Sequence, residues 1–147
     1  MTEIRLDISN VAFVRQGLPI PLSEADATVA QDAARSGDLA KYTVMAQQTA
    51  DGKWVPLTDV AATDGTAKPA GISLTLITEA DIKAGDTKAV ILVGDFIFDK
   101  NQLVLENSLT LATAIGAGVE LTTIERELRK LGIYAEDTID IQSFENA

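Results

Sequence analysis

The chain contains no cysteine and no histidine in 147 residues. Without cysteine there are no disulfides and no thiolate nucleophiles, and without either residue there is no Cys/His zinc site. The usual general base at neutral pH is also missing. Aromatics are scarce at 5%, with Trp54 the single tryptophan, so the core is built from Val, Ile, Leu and Ala. No apolar run approaches the roughly 18 residues that span a bilayer. The opening M-T-E-I-R-L-D-I alternates in charge and lacks an apolar h-region, which speaks against a signal peptide. A soluble chain made in the cytosol is the expectation. Basic residues are few: 12 against 22 acidic, a formal charge of −10. Nucleic acid repels such a chain, so neither nucleic acid nor membrane is expected as a partner. The length suits one domain.

Residues 1–22 stand apart. Ile4, Leu6 and Ile8 alternate with Arg5, Asp7 and Ser9, a strand periodicity, and Val11, Phe13 and Val14 follow. Leu18-Pro19-Ile20-Pro21-Leu22 is incompatible with a helix and favours extended chain. Arg5 and Arg15 balance Glu3 and Asp7, so the whole negative excess lies in residues 23–147. A neutral, apolar, extended arm suits the sheet edge or groove of a partner. It suits a first strand in the chain's own sheet equally well. The organisation read from sequence is therefore an arm at 1–22, a β-rich domain at 23–134 and an acidic tail at 135–147.

Ser23 heads an Ala-rich stretch with acids in its first turn, which predicts a helix to Arg35 with Gly37 as its stop. From Lys41 the pattern turns to β. Tyr42, Val44 and Ala46 alternate with Thr43, Met45 and Gln47, Asp51-Gly52 makes a turn, and Lys53-Trp54-Val55 returns. Pro56 restricts that return strand to an edge or a short length. Ile72–Ile77 and Ala89–Val93 read as strands, with Thr78–Asp86 a polar connector between them. Phe96 and Phe98 alternate with Ile97 and Asp99 in another strand, and Leu103 and Leu105 mark a short one. Thr122-Thr123-Ile124-Glu125 has the form of a capping box opening a helix over about 123–131. Ile124, Leu128 and Leu131 share one face of it, and Gly132 sits where a left-handed C′ residue is expected, with Ile133 placed to contact Leu128. In the tail, Ile139, Ile141 and Phe144 suit either a last strand or a solvated segment.

Catalytic groups are hard to assemble. Asp95 and Asp99, four apart on an alternating strand, share a face at about 13 Å, beyond the separation of paired glycosidase carboxylates. They read better as solvent-facing strand charges. Asp59 to Gly65 lacks the spacing of a calcium loop, and no Gly-rich phosphate loop or nucleophile elbow occurs. Trp54 is either a core residue or a contact between subunits, since large aromatics dominate interfaces. Pro69 joins it as a second candidate subunit contact.

Four motifs recur in order: D-G-K-W-V-P-L-T-D-V-A-A-T-D-G-T-A-K-P-A-G-I from Asp51 to Ile72, then A-V-I-L-V-G-D-F-I-F, N-Q-L-V-L and T-T-I-E-R-E-L-R-K-L-G-I-Y. Together, over roughly residues 37–134, they resemble the lambda-type head decoration proteins of tailed phages. The resemblance implies a mainly β fold of the β-clip type with minor helix. It implies a non-enzymatic homotrimer, without cofactor or metal, on three-fold positions of the outer surface of the expanded head. Its partner there is the major capsid protein, and the host cytoplasm is where it resides during assembly. Ile4, Leu6, Ile8, Val11, Phe13 and Val14 are then the candidate capsid-binding residues. This arm is longer and more strand-like, and the tail longer, than the family pattern. The other readings are a small trimeric β-clip enzyme acting on nucleotides and another virion or tail component.

Overall fold

An Asp-Gly turn folds the central hairpin of the computed structural model, which describes residues 27–94, 96–116 and 121–137 and the backbone of Phe13–Arg15. Strands β3 (Val44–Gln47) and β4 (Trp54–Pro56) pair antiparallel, with Ala46 opposite Val55 and Gln47 opposite Trp54. At the turn the Asp51 carboxylate accepts from Lys53 N at 3.0 Å, and Gly52 has φ +71°. Pro56 leaves β4 short; the strand lies inside the sheet and not at its edge.

The other strands are β1 (Phe13–Arg15), β2 (Thr28–Val29), β5 (Gly71–Ser73), β6 (Thr87–Lys88), β7 (Ile91–Leu92), β8 (Phe96–Asp99), β9 (Ala114–Ile115), β10 (Thr122–Thr123) and β11 (Ile133–Glu136). Two helices, α1 (Glu79–Ala84) and α2 (Ile124–Lys130), complete the described elements. A six-stranded sheet runs β6-β2-β4-β3-β5-β7, a three-stranded sheet β1-β8-β11, and β9 pairs with β10. The mainly β class with minor helix is what the sequence led us to expect.

Successive residues of a strand face opposite sides. Val44 and Ala46 accordingly enter one apolar cluster, and Met45 the other. The six-stranded sheet thus carries apolar packing on both faces. The first cluster takes in Phe96 and Phe98 of β8, Ile133 of β11 and Ile124 and Leu128 of α2. The second holds Val29, Leu39, Met45, Trp54, Ile77 and Ile91, and Ile82 of α1 packs into it. Gly71 lies where strands crowd: a Cβ there would stand 2.6 Å from the Leu92 carbonyl oxygen and 2.7 Å from Ile91 Cγ2.

Several expectations are corrected. The helix from Ser23 to Arg35 does not form over its described part; residues 23–26 lie outside the described residues. Thr28–Val29 is a strand, parallel to β4 and antiparallel to β6, and Ala27 and Val29 are buried. Sheet pairing satisfies this backbone, and Asp32 accepts from Ala34 N at 3.0 Å in a turn instead of a helix. The connector Thr78–Asp86 contains α1, whose cap Thr78 accepts from Asp81 N at 3.3 Å. Of Ile72–Ile77, only the beginning is strand, and Ile77 makes a single bridge to Leu39. The Leu103–Leu105 strand reduces to one bridge between Val104 and Thr43.

The late helix stands where it was expected, with its cap displaced by one residue. Thr123, not Thr122, accepts from Arg126 N, at 3.2 Å, and Thr122 and Thr123 also both pair in β10, opposite Ile115 and Ala114. Ile124 N and Glu125 N donate to the carbonyls of Thr113 and Leu111 at 3.1 and 3.0 Å. Three first-turn donors therefore have partners. Glu125 pairs with Arg129 instead of closing a capping box. Gly132 has φ +83°, the left-handed stop the sequence implied, and Ile133 and Leu128 belong to the same cluster. The tail residues Ile139, Ile141 and Phe144 lie outside the described residues.

Candidate interaction surface

The arm candidates divide. Ile4, Leu6, Ile8 and Val11 lie outside the described residues. Phe13 and Val14 belong to β1, opposite Phe98 and Ile97 of β8, at the edge of the three-stranded sheet. Trp54 is 2% exposed and packs in the second cluster, and its indole N–H has no hydrogen-bond partner among the described residues. Pro69 is buried as well, and the next residue's N–H, that of Ala70, donates to the Met45 carbonyl at 2.8 Å. The structure does not bring Trp54 and Pro69 together with β1. Trp54 belongs to the second cluster, whereas β1 borders β8, whose phenylalanines lie in the first.

The acidic candidates are held in local structure. Asp59 accepts from Ala61 N at 2.9 Å, and Asp64 accepts from Thr66 N at 3.1 Å and from the Thr66 hydroxyl. The Thr66 hydroxyl and N–H hold the Asp64 carboxyl below its ordinary pKa. Asp99 is not solvent-facing as read: it is 8% exposed and accepts from Asn101 N at 2.9 Å. Asp95 lies outside the described residues. Among the described residues no three acidic side chains come together to hold a metal ion. No described helix is long and apolar enough to cross a membrane.

Arg35 fastens the segment after β2 to the loop beyond β8. Its two terminal nitrogens donate to the two Glu106 oxygens, Nη1 to Oε2 at 2.6 Å, and the pair is 10% and 19% exposed. Nε donates to Gly37 O at 3.0 Å, and Nη2 also to Asp38 O at 3.1 Å. The Glu106 hydrogen bond raises the Arg35 pKa, outweighing burial. A cleft of about 330 Å³ opens beside this clip, lined by Arg35 itself and by Val29, Asp32, Leu39, Asp64 and Ile82 among others.

One surface was passed over in the sequence. Three segments lie side by side: Leu39 and Ile77 exchange backbone hydrogen bonds of 2.8 and 3.0 Å, Tyr42 N donates to Ser73 O at 2.7 Å, and Val104 N donates to Tyr42 O at 3.0 Å. Tyr42, Leu74, Leu103 and Leu105 pack against the first cluster and remain partly exposed. Two residues beyond Leu74, Leu76 is 55% exposed, the highest value among the large apolar residues described. Tyr42 sits between the other two segments with φ +70°, an unusual backbone for a bulky residue. Its ring meets Phe98 edge-on at 6.0 Å, and the Lys41 ammonium lies 4.9 Å from its centre. The available signal was the lack of acid in L-A-K-Y-T-V, G-I-S-L-T-L-I and N-Q-L-V-L.

A β-rich domain clipped by an internal ion pair, with an N-terminal edge strand and an acid-free apolar face, defines a small protein whose distinctive features are surfaces for packing. The sequence matches the family model of the bacteriophage lambda head decoration protein D over residues 10–124. The chain belongs to this head decoration family, a family of structural phage proteins associated with the capsid. The match includes β1 and ends at the first residue of α2, so most of the T-T-I-E-R-E-L-R-K-L-G-I-Y motif lies beyond it. No curated protein and no solved structure matches the chain.

Proposed function

We propose that this protein binds the outer surface of the assembled phage head as a trimer and stabilises the shell. The family match over residues 10–124 carries the reading. The charge of −10 supports the outer face, away from packaged DNA. The mechanism is clamping. Apolar and backbone contacts at junctions of the major capsid protein, repeated over the shell, oppose internal pressure, and a trimer multiplies each contact through effective concentration. Ile4, Leu6, Ile8 and Val11 make the contacts of the arm, and Phe13 and Val14 root it on β8. Trp54 and Pro69 support contact between copies from behind, by fixing β3, β4 and β5.

Because residues 13–15 pair with β8, the informative truncation stops short of them. Removing residues 1–12 is expected to leave the melting temperature unchanged and to abolish co-sedimentation with purified heads. Undiminished head binding by the truncated protein contradicts the role given to the arm.

A further inference from the structure

We infer that residues 31–38 and α1 form one unit that opens off the second cluster without global unfolding, and that the Arg35–Glu106 pair is its latch. Apart from the half-buried Arg35, residues 31–38 are exposed, and none of them belongs to either apolar cluster. The segment is fixed at both ends: Ala30 N donates to Trp54 O at 2.9 Å, and Leu39 exchanges two backbone bonds with Ile77. Between those ends it caps both ends of α1. Asp32 N donates to Ile82 O at 3.1 Å, and the Gln31 side-chain amide donates to Lys83 O at 2.9 Å, late in the helix. At the start of the helix, Glu79 N donates to the Asp38 carboxylate and Gly37 N to the Glu79 carboxylate, each at 2.9 Å.

Mutual dependence makes segment and helix open together. A helix of six residues does not stand alone in water, and α1 buries only Ile82. Its end groups have their partners in the segment, so lifting the segment leaves them unsatisfied. Parts of a fold with few buried apolar contacts and exposed backbone hydrogen bonds open at a lower free energy than the whole domain. Two ion pairs oppose that opening. Lys53 holds Asp86, which accepts from Gln31 N at 3.2 Å, but these side chains are 35% and 41% exposed and such pairs contribute little. Arg35 and Glu106 are 10% and 19% exposed, and their bidentate geometry makes this the stronger hold. Gln31, Asp32 and Arg35 line the cleft of about 330 Å³ together with Val29, Leu39 and Ile82. Opening therefore widens the cleft and uncovers its apolar residues.

The test is hydrogen exchange of the full chain, read amide by amide at several low urea concentrations. The reporters are the amides of Asp32, Gly37, Glu79 and Ile82, each of which donates a hydrogen bond within the unit. The references are Leu57 and Ala70, whose amides donate to the carbonyls of Val44 and Met45 in β3. The four reporters are expected to share one protection, at least about tenfold below that of the references, with little dependence on urea because the opening exposes little surface. Glu106→Gln should speed their exchange about tenfold or more, the effect of losing a hydrogen bond between charged groups. Reporters as protected as Leu57 and Ala70, or with unrelated protections, overturn the unit in the wild type alone. An unchanged reporter rate in Glu106→Gln overturns the latch. If that variant does not fold, Arg35→Lys, which keeps the charge and loses the fork, takes its place with the same expectation.

Discussion

Gly71 illustrates what a single residue decides. It is the third residue of the Pro-Ala-Gly-Ile step visible in the sequence, yet its reason is spatial: the Leu92 carbonyl and Ile91 leave no room for a Cβ. Gly71→Ala is expected to lower unfolding free energy by about 1–3 kcal/mol, the usual cost of overpacking. An unchanged urea midpoint would contradict the close approach. The Arg35–Glu106 pair is a second decision at this scale, since the guanidinium and carboxylate are largely removed from water. Glu106→Gln should cost about 1.5–3 kcal/mol, the range for hydrogen bonds to charged groups. A double-mutant cycle with Arg35→Leu should return a clear coupling energy. Independent effects would show that the clip does not hold. Neither the pair nor its burial was legible in the sequence, because the partners stand 71 residues apart.

Among the elements, legibility follows length and periodicity. β3 and β8 have four residues each and α2 has seven, enough to show an alternating or a helical pattern. β2 has two residues, too few for any period, and its Ala-rich surroundings mimic a helix. α1 shows every end signal of a helix: Thr78 as cap, Glu79 and Asp81 in the first turn, Lys83 in the last. It buries only Ile82, so no apolar stripe announced it. The lack of acid in the segments around Tyr42, Leu74 and Leu103 could be read from the sequence, but their adjacency could not, because backbone pairing of distant parts of the chain creates it. α2 supplies the prediction at this scale. Thr123→Ala should destabilise by about 1 kcal/mol, the usual value of an N-cap, measured by thermal or urea unfolding. An effect near zero would put the cap back at Thr122.

For the whole molecule, charge governs behaviour with pH. Asp64, Glu79 and Asp86 are held below the ordinary carboxylate pKa, chiefly by hydrogen bonds from Thr66, Lys83 and Lys53. For Glu127, burial pushes the carboxyl up, but Lys130 and its neighbours outweigh it and the pKa is lowered. A depressed folded pKa contributes stability that is complete above the unfolded pKa and disappears as pH falls through the folded one. Self-repulsion from the charge of −10 acts oppositely and relaxes on mild acidification. The melting temperature should therefore hold or rise from pH 7 to about 5, and fall below about 4 as these carboxylates protonate. A continued rise below that range would show that repulsion, and not these bonds, dominates. The central claim concerns the surface of the head. Purified mature heads mixed with this protein and imaged by electron microscopy test it most directly. The account predicts added density at regularly repeated positions on the outer surface, lost when residues 1–12 are removed; heads that remain bare at saturating protein would contradict it.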